Sequence, residues 1–274
     1  MKKINLKTWM VLLLISLIIN SVSAQGTFIN LNVGYGTAAS EQNLSSLNFN
    51  NYTRQNNFTT REQVNISFGK GLNIGGSIGY MFNENIGMEL GISYLMGGKS
   101  EARDLYTNRT VDNTIYANML RFNPSLIIAA GFKNINPYAK IGMLIGSGSI
   151  LYESIDNNNG DLWVSKTKFN GGLAFGLNSA VGVLFSINEN LSFFVELDMV
   201  NLSYAPTKSE ITEASLNGSD QLPGMTTKER QTDFVDNYTT EQGNPSPDSQ
   251  PDKLLIEKYP FGSVGLNIGL KINL

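Results

Sequence analysis

The chain has 274 residues, with 20 lysines and arginines against 23 aspartates and glutamates, 27 glycines, no histidine and no cysteine. Without cysteine there is neither a disulfide framework nor a site for a lipid-modified cysteine, and without Cys and His zinc lacks its usual ligands. The acidic balance argues against a nucleic-acid partner; after the first 24 residues no apolar run reaches the ~18 that mark a spanning helix, a criterion that leaves β-barrels open.

The first 24 residues set Lys2, Lys3 and Lys7 ahead of an apolar run from Trp9 to Ile19 and end on Val22, Ser23 and Ala24. A basic head, a short apolar middle and a small-residue cleavage site predict a secretory signal peptide over 1–24. Its removal takes away three lysines, leaving 17 basic against 23 acidic residues and a net charge of −6 on the mature chain, 25–274.

From residue 27 the chain alternates, with apolar residues at every second position and glycine or polar residues between them, the period of a strand. The first segment, TFINLNVGYGTA, sets Ile29, Leu31, Val33 and Tyr35 on an oily side. The second, 69–82, continues with Leu72, Ile74, Ile78, Tyr80 and Phe82. It opens with GKGLNIGG, whose glycine spacing is wrong for a dinucleotide loop and which leads into a strand, not a helix. The third, 83–100, carries Ile86, Met88, Leu90, Ile92, Tyr94 and Met96, and ends in Gly-Gly-Lys-Ser like a phosphate loop. Ser93 stands where the first glycine of that motif belongs, and the polar stretch after Ser100 offers no helix to receive a phosphate. Five more segments follow at 119–132, 137–148, 169–187, 191–200 and 262–274.

The connections alternate too. Those at 83–85 (NEN), 133–136 (KNIN) and 188–190 (NEN) are short enough for tight hairpins. The links at 39–67, 98–117, 152–168 and 205–259 are long and polar. Eight alternating segments with short links on one side and long ones on the other predict an all-β fold: an eight-stranded antiparallel transmembrane β-barrel with short periplasmic turns and long extracellular loops. A soluble sandwich also alternates, but here the oily face is unbroken and the opposite face is glycine and polar residues unfit for a core. The last link, 205–259, includes GNPSPDSQPD and reads as a long mobile surface loop.

Six charged strand residues fall on the non-oily parity: Glu89, Arg121, Lys140, Glu196, Asp198 and Lys271, three acids and three bases. On the lipid face a lysine or arginine would cost ~2–4 kcal/mol at the midplane, so these residues form an expected barrel-interior charge network. Distance from the turns puts Glu89, Lys140 and Lys271 in the periplasmic half and Arg121, Glu196 and Asp198 higher, each layer mixing signs as buried charges must. Aromatics at the oily strand ends predict two interfacial girdles: Phe82, Phe132 and Phe185 before the short turns, and Tyr35, Tyr94 and Phe169 near the loops. Tyr152, Tyr204 and Tyr259 fall on the other parity.

The signal peptide, the eight alternating strands, the Asn-bearing turns and the four long loops together resemble the small outer-membrane barrels typified by the transmembrane domain of outer membrane protein A and by opacity-type surface antigens. The resemblance covers 26–274. Such barrels usually end in an aromatic residue, where this chain has Leu274. It implies residence in the bacterial outer membrane, contact with outer-membrane lipid and the barrel-assembly machinery, and a monomer. Barrels of similar size that are enzymes use a histidine, and this chain has none. No catalytic residue, cofactor or metal is therefore expected; the loop carboxylates Asp156, Asp161, Asp233, Asp236, Asp248 and Asp252 lack the spacing of a calcium loop. The expected function is structural or surface-interacting within the cell envelope, with the loops as the place for a surface ligand or protein partner. The alternatives are a narrow ion or small-solute channel and an accessory barrel of a secretion system.

Overall fold

A computed structural model describes residues 26–44, 47, 49–55, 58–239 and 247–274; the expected signal peptide lies outside them. The chain is all-β, apart from a few short turns of helix. Eight of its strands are β1 (Thr27–Ala38), β2 (Gly71–Met81), β3 (Ile86–Gly97), β4 (Arg109–Ala129), β5 (Ile135–Asn158), β6 (Ala174–Ser186), β7 (Leu191–Tyr204) and β8 (Ser263–Asn273). Each pairs antiparallel with the next. β8 pairs in turn with β1, from Phe28↔Asn273 to Ala38↔Ser263, so the succession of pairings returns to its start.

Asparagine side chains build the three short turns. In the two NEN turns the Oδ1 of Asn83 accepts from the backbone N–H groups of Asn85 (2.9 Å) and Ile86 (2.8 Å), and that of Asn188 from Asn190 (3.0 Å) and Leu191 (2.8 Å). The side chain thus mimics a backbone turn and reverses the chain in the fewest residues. In the third turn Asn136 plays this part toward Gly131 and Phe132.

Along each of the eight strands successive side chains face opposite ways. The oily residues face outward: Leu197 is 52% exposed while its neighbour Glu196 is 8% exposed. Ile92, Met143, Leu177 and Leu266 stand out in the same way.

The sheet is larger than the eight strands, and here the loop expectation needs correction. Among the described residues it contains 17 strands. β4 and β5 run for 21 and 24 residues, well past the segments 119–132 and 137–148. Beside their loop-side halves lie Ser100–Leu105, Asn50–Gln55 and Phe58–Gln63 in one direction. In the other lie Asp161–Asn170, Lys208–Leu216, Gln231–Val235 and Asp252–Leu255. Residues 98–117 and 152–168 are therefore mostly strand. Residues 205–259 carry strands and a short capped helix, α1 (Thr227–Arg230), rather than a structureless loop. The physical reason is an inversion of polarity at constant parity. In 110–119 the inward side chains are buried and all apolar (Val111, Ile115, Ala117 and Met119) except Asn113, which accepts from the Tyr152 hydroxyl, and the outward ones include Thr110, Asp112, Thr114 and Tyr116. A sheet in water is oily inside and polar outside, so an oily-outside pattern ends where the strand itself continues.

Candidate functional site: the interior of the ring

The inward residues form three layers. At the turn end Phe28, Ile127, Ala129 and Phe194 are buried. Two of these rings sit over inward glycines of the next strand: Phe28 is in register with Gly79, and Phe194 with Gly269. A Cβ on either glycine would collide with the ring, so glycine here makes room for an aromatic in a narrow space.

The middle layer is polar. Lys140 reaches two carboxylates, with Nζ 3.0 Å from Oε1 of Glu89 and 2.7 Å from Oε2 of Glu196. Glu89 also accepts from Asn30 Nδ2 at 3.0 Å and from the Ser77 hydroxyl at 3.1 Å, and Glu196 from the Tyr138 hydroxyl at 3.0 Å. These donors add neutral hydrogen bonds to the two carboxylates of the buried ion pair, as such a pair requires. Nearer the loop end, Asp198 accepts from Asn267 Nδ2 at 2.9 Å, and Asn123 donates to Asn178 at 3.2 Å. Arg121 is 3% exposed, and its Nε and Nη2 have no hydrogen-bond partner among the described residues. It lines, with Asp198, Lys140 and several asparagines, a cavity of about 70 Å³, room for several waters at ~10–15 Å³ each.

The six charged residues are thus not brought together as two mixed layers. Glu89, Lys140 and Glu196 form one bonded triad, so Glu196 belongs with Lys140 rather than with Arg121 and Asp198. Arg121 makes no ion pair within 4 Å among the described residues, and neither does Lys271, whose Nζ rests 4.0 Å from the centroid of the Phe28 ring.

Above the polar layer the inward parity turns apolar, a feature the sequence reading missed. Leu95, Ile115, Met119, Leu144, Ile150, Val200, Leu202 and Tyr204 are buried in one cluster, joined by Leu44, Phe49, Ile66 and Phe68 from the segment after β1 and by Tyr259 and Phe261 from the segment before β8. The Tyr204 hydroxyl lies 2.8 Å from the carbonyl oxygen of Gly148 and 2.7 Å from that of Gly171, and its one proton is shared between them. This cluster fills the loop end of the ring. The signal was present in the off-parity tyrosines Tyr152, Tyr204 and Tyr259, which point inward into or against it.

Tyr35, Phe82, Tyr94, Phe132 and Phe185 are exposed on the outer face, at 39–63%. Phe169 is not. It is 6% exposed and stacks on Phe234 with centroids 6.0 Å apart, inside the apolar cluster. The expectation that it joins an outer girdle fails because 169–187 is not one strand: Gly171 (φ +79°) and Gly172 (φ +73°) take the left-handed conformation and interrupt the period before β6 begins.

Outside the ring, Arg109 grips Asp156 through Nε (2.8 Å) and Nη2 (2.5 Å), which raises its guanidinium pKa further above its ordinary value. Arg103 pairs with Asp112. Burial raises the Asp104 carboxyl, an effect that Arg109 partly offsets. Among the described residues no group of three or more carboxylates is placed to hold a metal ion.

The chain matches the family described as outer membrane protein beta-barrel domain over residues 10–221. It belongs to that family. Its place is accordingly the bacterial outer membrane. Among solved structures this barrel-family chain is similar to Neisserial surface protein A, at 10% identity and a TM-score of 0.39 over 91% of this chain and 98% of that one. It is also similar to CarO2 of Acinetobacter baumannii, at 12% identity and 0.34 over 91% and 99%. A third is the outer membrane protease OmpT of Escherichia coli, at 8% identity and 0.27 over 91% and 94%. No curated protein matches the chain.

Proposed function

We propose that the ring of β1 to β8 is an eight-stranded barrel spanning the outer membrane, with its three short turns in the periplasm and its enlarged sheet outside the cell. It acts without catalysis, as a closed barrel with a structural or surface-interaction role. The observation that carries this reading is the apolar cluster across the loop end of the lumen, with the Glu89, Lys140 and Glu196 triad beneath it. An ion entering from outside would have to leave water and pass buried Leu, Phe and Tyr side chains, a desolvation that costs many kcal/mol for an unpaired charge. The outward band of Leu, Ile, Val, Met and Phe, bounded by exposed aromatics, supports the membrane placement. The sheet rising beyond it supports the surface role, because binding residues concentrate on segments held by a rigid scaffold.

The test is single-channel recording of mature chain, residues 25–274, refolded and inserted in a planar bilayer. Silence from demonstrably inserted protein is expected. Reproducible conductance steps whose ion selectivity shifts in Arg121→Ala would overturn the closed barrel in favour of a channel through the polar cavity. The surface role predicts that a partner captured by the intact chain is lost when residues 207–252 are deleted; capture that persists would move the role elsewhere.

A further inference from the structure

The two glycine and lysine stretches that fail as nucleotide loops, Gly69 to Gly71 and Gly97 to Ser100, lie apart in sequence and meet in the structure. β2 and β3 pair as far as Gly71↔Gly97, and just past that pair the Gly98 N–H donates to the Lys70 carbonyl at 2.8 Å. Gly98 also seats the lysine. A Cβ on it would stand 3.2 to 3.5 Å from Cε, Cγ and Cδ of Lys70, so the lysine stem lies across the glycine, and its Nζ ends 3.5 Å from the Lys99 carbonyl oxygen. Lys99 is aimed by a bulge. β3 pairs with β4 to Met96↔Asn118 and pairing resumes at Ser100↔Ile115, which leaves one extra residue on the β3 side, a device that re-aims side chains. The exposed Lys99 sets its Nζ 5.4 Å from the ring centroid of Tyr116, on the outer face of β4.

Both lysines stand at the end of the oily band. The outward residues of β3 run from Ile86 to Met96, and ten residues at ~3.3 Å each and a ~40° tilt rise about 25 Å, the height of such a band. Leu72, opposite Met96, ends the band on β2, and Lys70 is the next residue on its side. The ammonium groups therefore sit where hydrocarbon gives way to headgroups, with apolar surface below and water above. Among the described residues neither makes an ion pair within 4 Å, whereas their charged neighbours are matched: Lys166 pairs with Glu213 at 2.8 Å and Arg103 with Asp112. The Tyr116 hydroxyl donates to Glu153 at 3.3 Å. Two unpaired ammonium groups on touching residues suit an anion with several oxygens, and at this depth of a membrane that anion is a headgroup phosphate.

We propose that Lys70 and Lys99 form a binding site for the phosphate of an outer-leaflet lipid, whose chains lie against Leu72, Tyr94 and Met96. The site rests on the membrane placement given under the proposed function and deepens it by naming a lipid partner and the residues that hold it.

The test uses the mature chain in neutral detergent micelles, titrated with dioleoylphosphatidic acid, dioleoylphosphatidylcholine or inorganic phosphate, with bound lipid counted by native mass spectrometry. Phosphatidic acid, whose phosphate is uncapped, should bind at least roughly tenfold tighter than phosphatidylcholine. Lys70→Gln and Lys99→Gln should each weaken it by roughly fivefold and K70Q/K99Q by roughly thirtyfold. Lys133→Gln, at the turn end of the outer face, should change nothing. Gly98→Val keeps every charge but fills the seat of the Lys70 stem, and should weaken binding about as much as K70Q. No preference between the two lipids overturns the proposal, as does a preference that survives K70Q/K99Q or falls equally in K133Q. Inorganic phosphate that displaces the lipid at equal concentration overturns the lipid as the ligand. If G98V loses β structure by circular dichroism, K70Q/K99Q decides. A wild type that takes up no micelle defeats the membrane placement and the site together, whereas a folded, micelle-bound chain without lipid preference defeats the site alone.

Discussion

Replacing Lys140 with methionine keeps most of the side-chain volume and removes the cation between two buried carboxylates. Glu89 and Glu196 are 5% and 8% exposed, and their oxygens stand 3.0 and 2.7 Å from Nζ, hence less than ~6 Å from each other. At an effective dielectric of ~20 their repulsion is ~3 kcal/mol, and removing one partner of a buried ion pair costs ~3–5 kcal/mol in general. The hydrogen bonds from Asn30, Ser77 and Tyr138 remain and hold the loss near that range instead of above it. The assay is equilibrium urea unfolding of the mature chain in phospholipid vesicles, followed by circular dichroism at neutral pH. Lys140→Met should lose ~3–5 kcal/mol, and the triple variant K140M/E89Q/E196Q should regain most of it, because the penalty lies in the stranded charges and not in lost packing. A loss below ~1 kcal/mol, or a triple variant no more stable than the single one, would refute the view that the triad is a desolvated unit.

Three further outcomes use the same or simpler measurements. Gly79→Val drives a side chain into the Phe28 ring and should cost ~1–3 kcal/mol, with recovery in G79V/F28A as the check that the clash is the cause. Phe169→Ala should cost ~3–5 kcal/mol because the ring is buried in the loop-end cluster, whereas Phe132→Ala, 63% exposed beside a turn, should cost under ~1 kcal/mol. At α1 the Glu229 carboxylate accepts from the N–H (2.8 Å) and hydroxyl (3.0 Å) of Thr226, and the backbone bond first among these lowers its pKa. A carboxylate with a lowered folded pKa contributes stability above its ordinary pKa and loses it as pH falls through the lowered one. Amide protection over 226–230, taken relative to the slower intrinsic exchange in acid, should therefore fall as pH drops, and Glu229→Gln should weaken that pH-dependent step.

Period 2 is backbone geometry and holds in any surroundings, which is why Thr27–Ala38 and the cores of the other seven strands, and the side each residue faces, can be read from the letters alone. Polarity is a property of what lies on each side, and it changes along one strand. On β4 the inward residues pass from Ile127 and Ala129 through Ser125, Asn123 and Arg121 to Met119, Ala117 and Ile115. A search for oily residues against polar ones sees the stretch where lipid is outside and water-like groups are inside, and goes blind where a dry interior faces bulk water. The loop-end plug was hidden for this reason, together with its members from the segments after β1 and before β8, whose sequences carry no period that says they fold inward. Phe169 was misplaced by a different cause: parity counts from an uninterrupted backbone, and two left-handed glycines reset it. The charge network shows a third limit. Register places Lys140 beside Ile127 and Ala180, yet its ion pairs are to β3 and β7, each two strands away around the ring. Such contacts depend on side-chain reach across the lumen, which strand order and distance from the turns do not encode. The long lysine can span that gap to two glutamates at once, while Arg121, in register with Ser93 and Gly146, has only small neighbours beside it and faces the cavity.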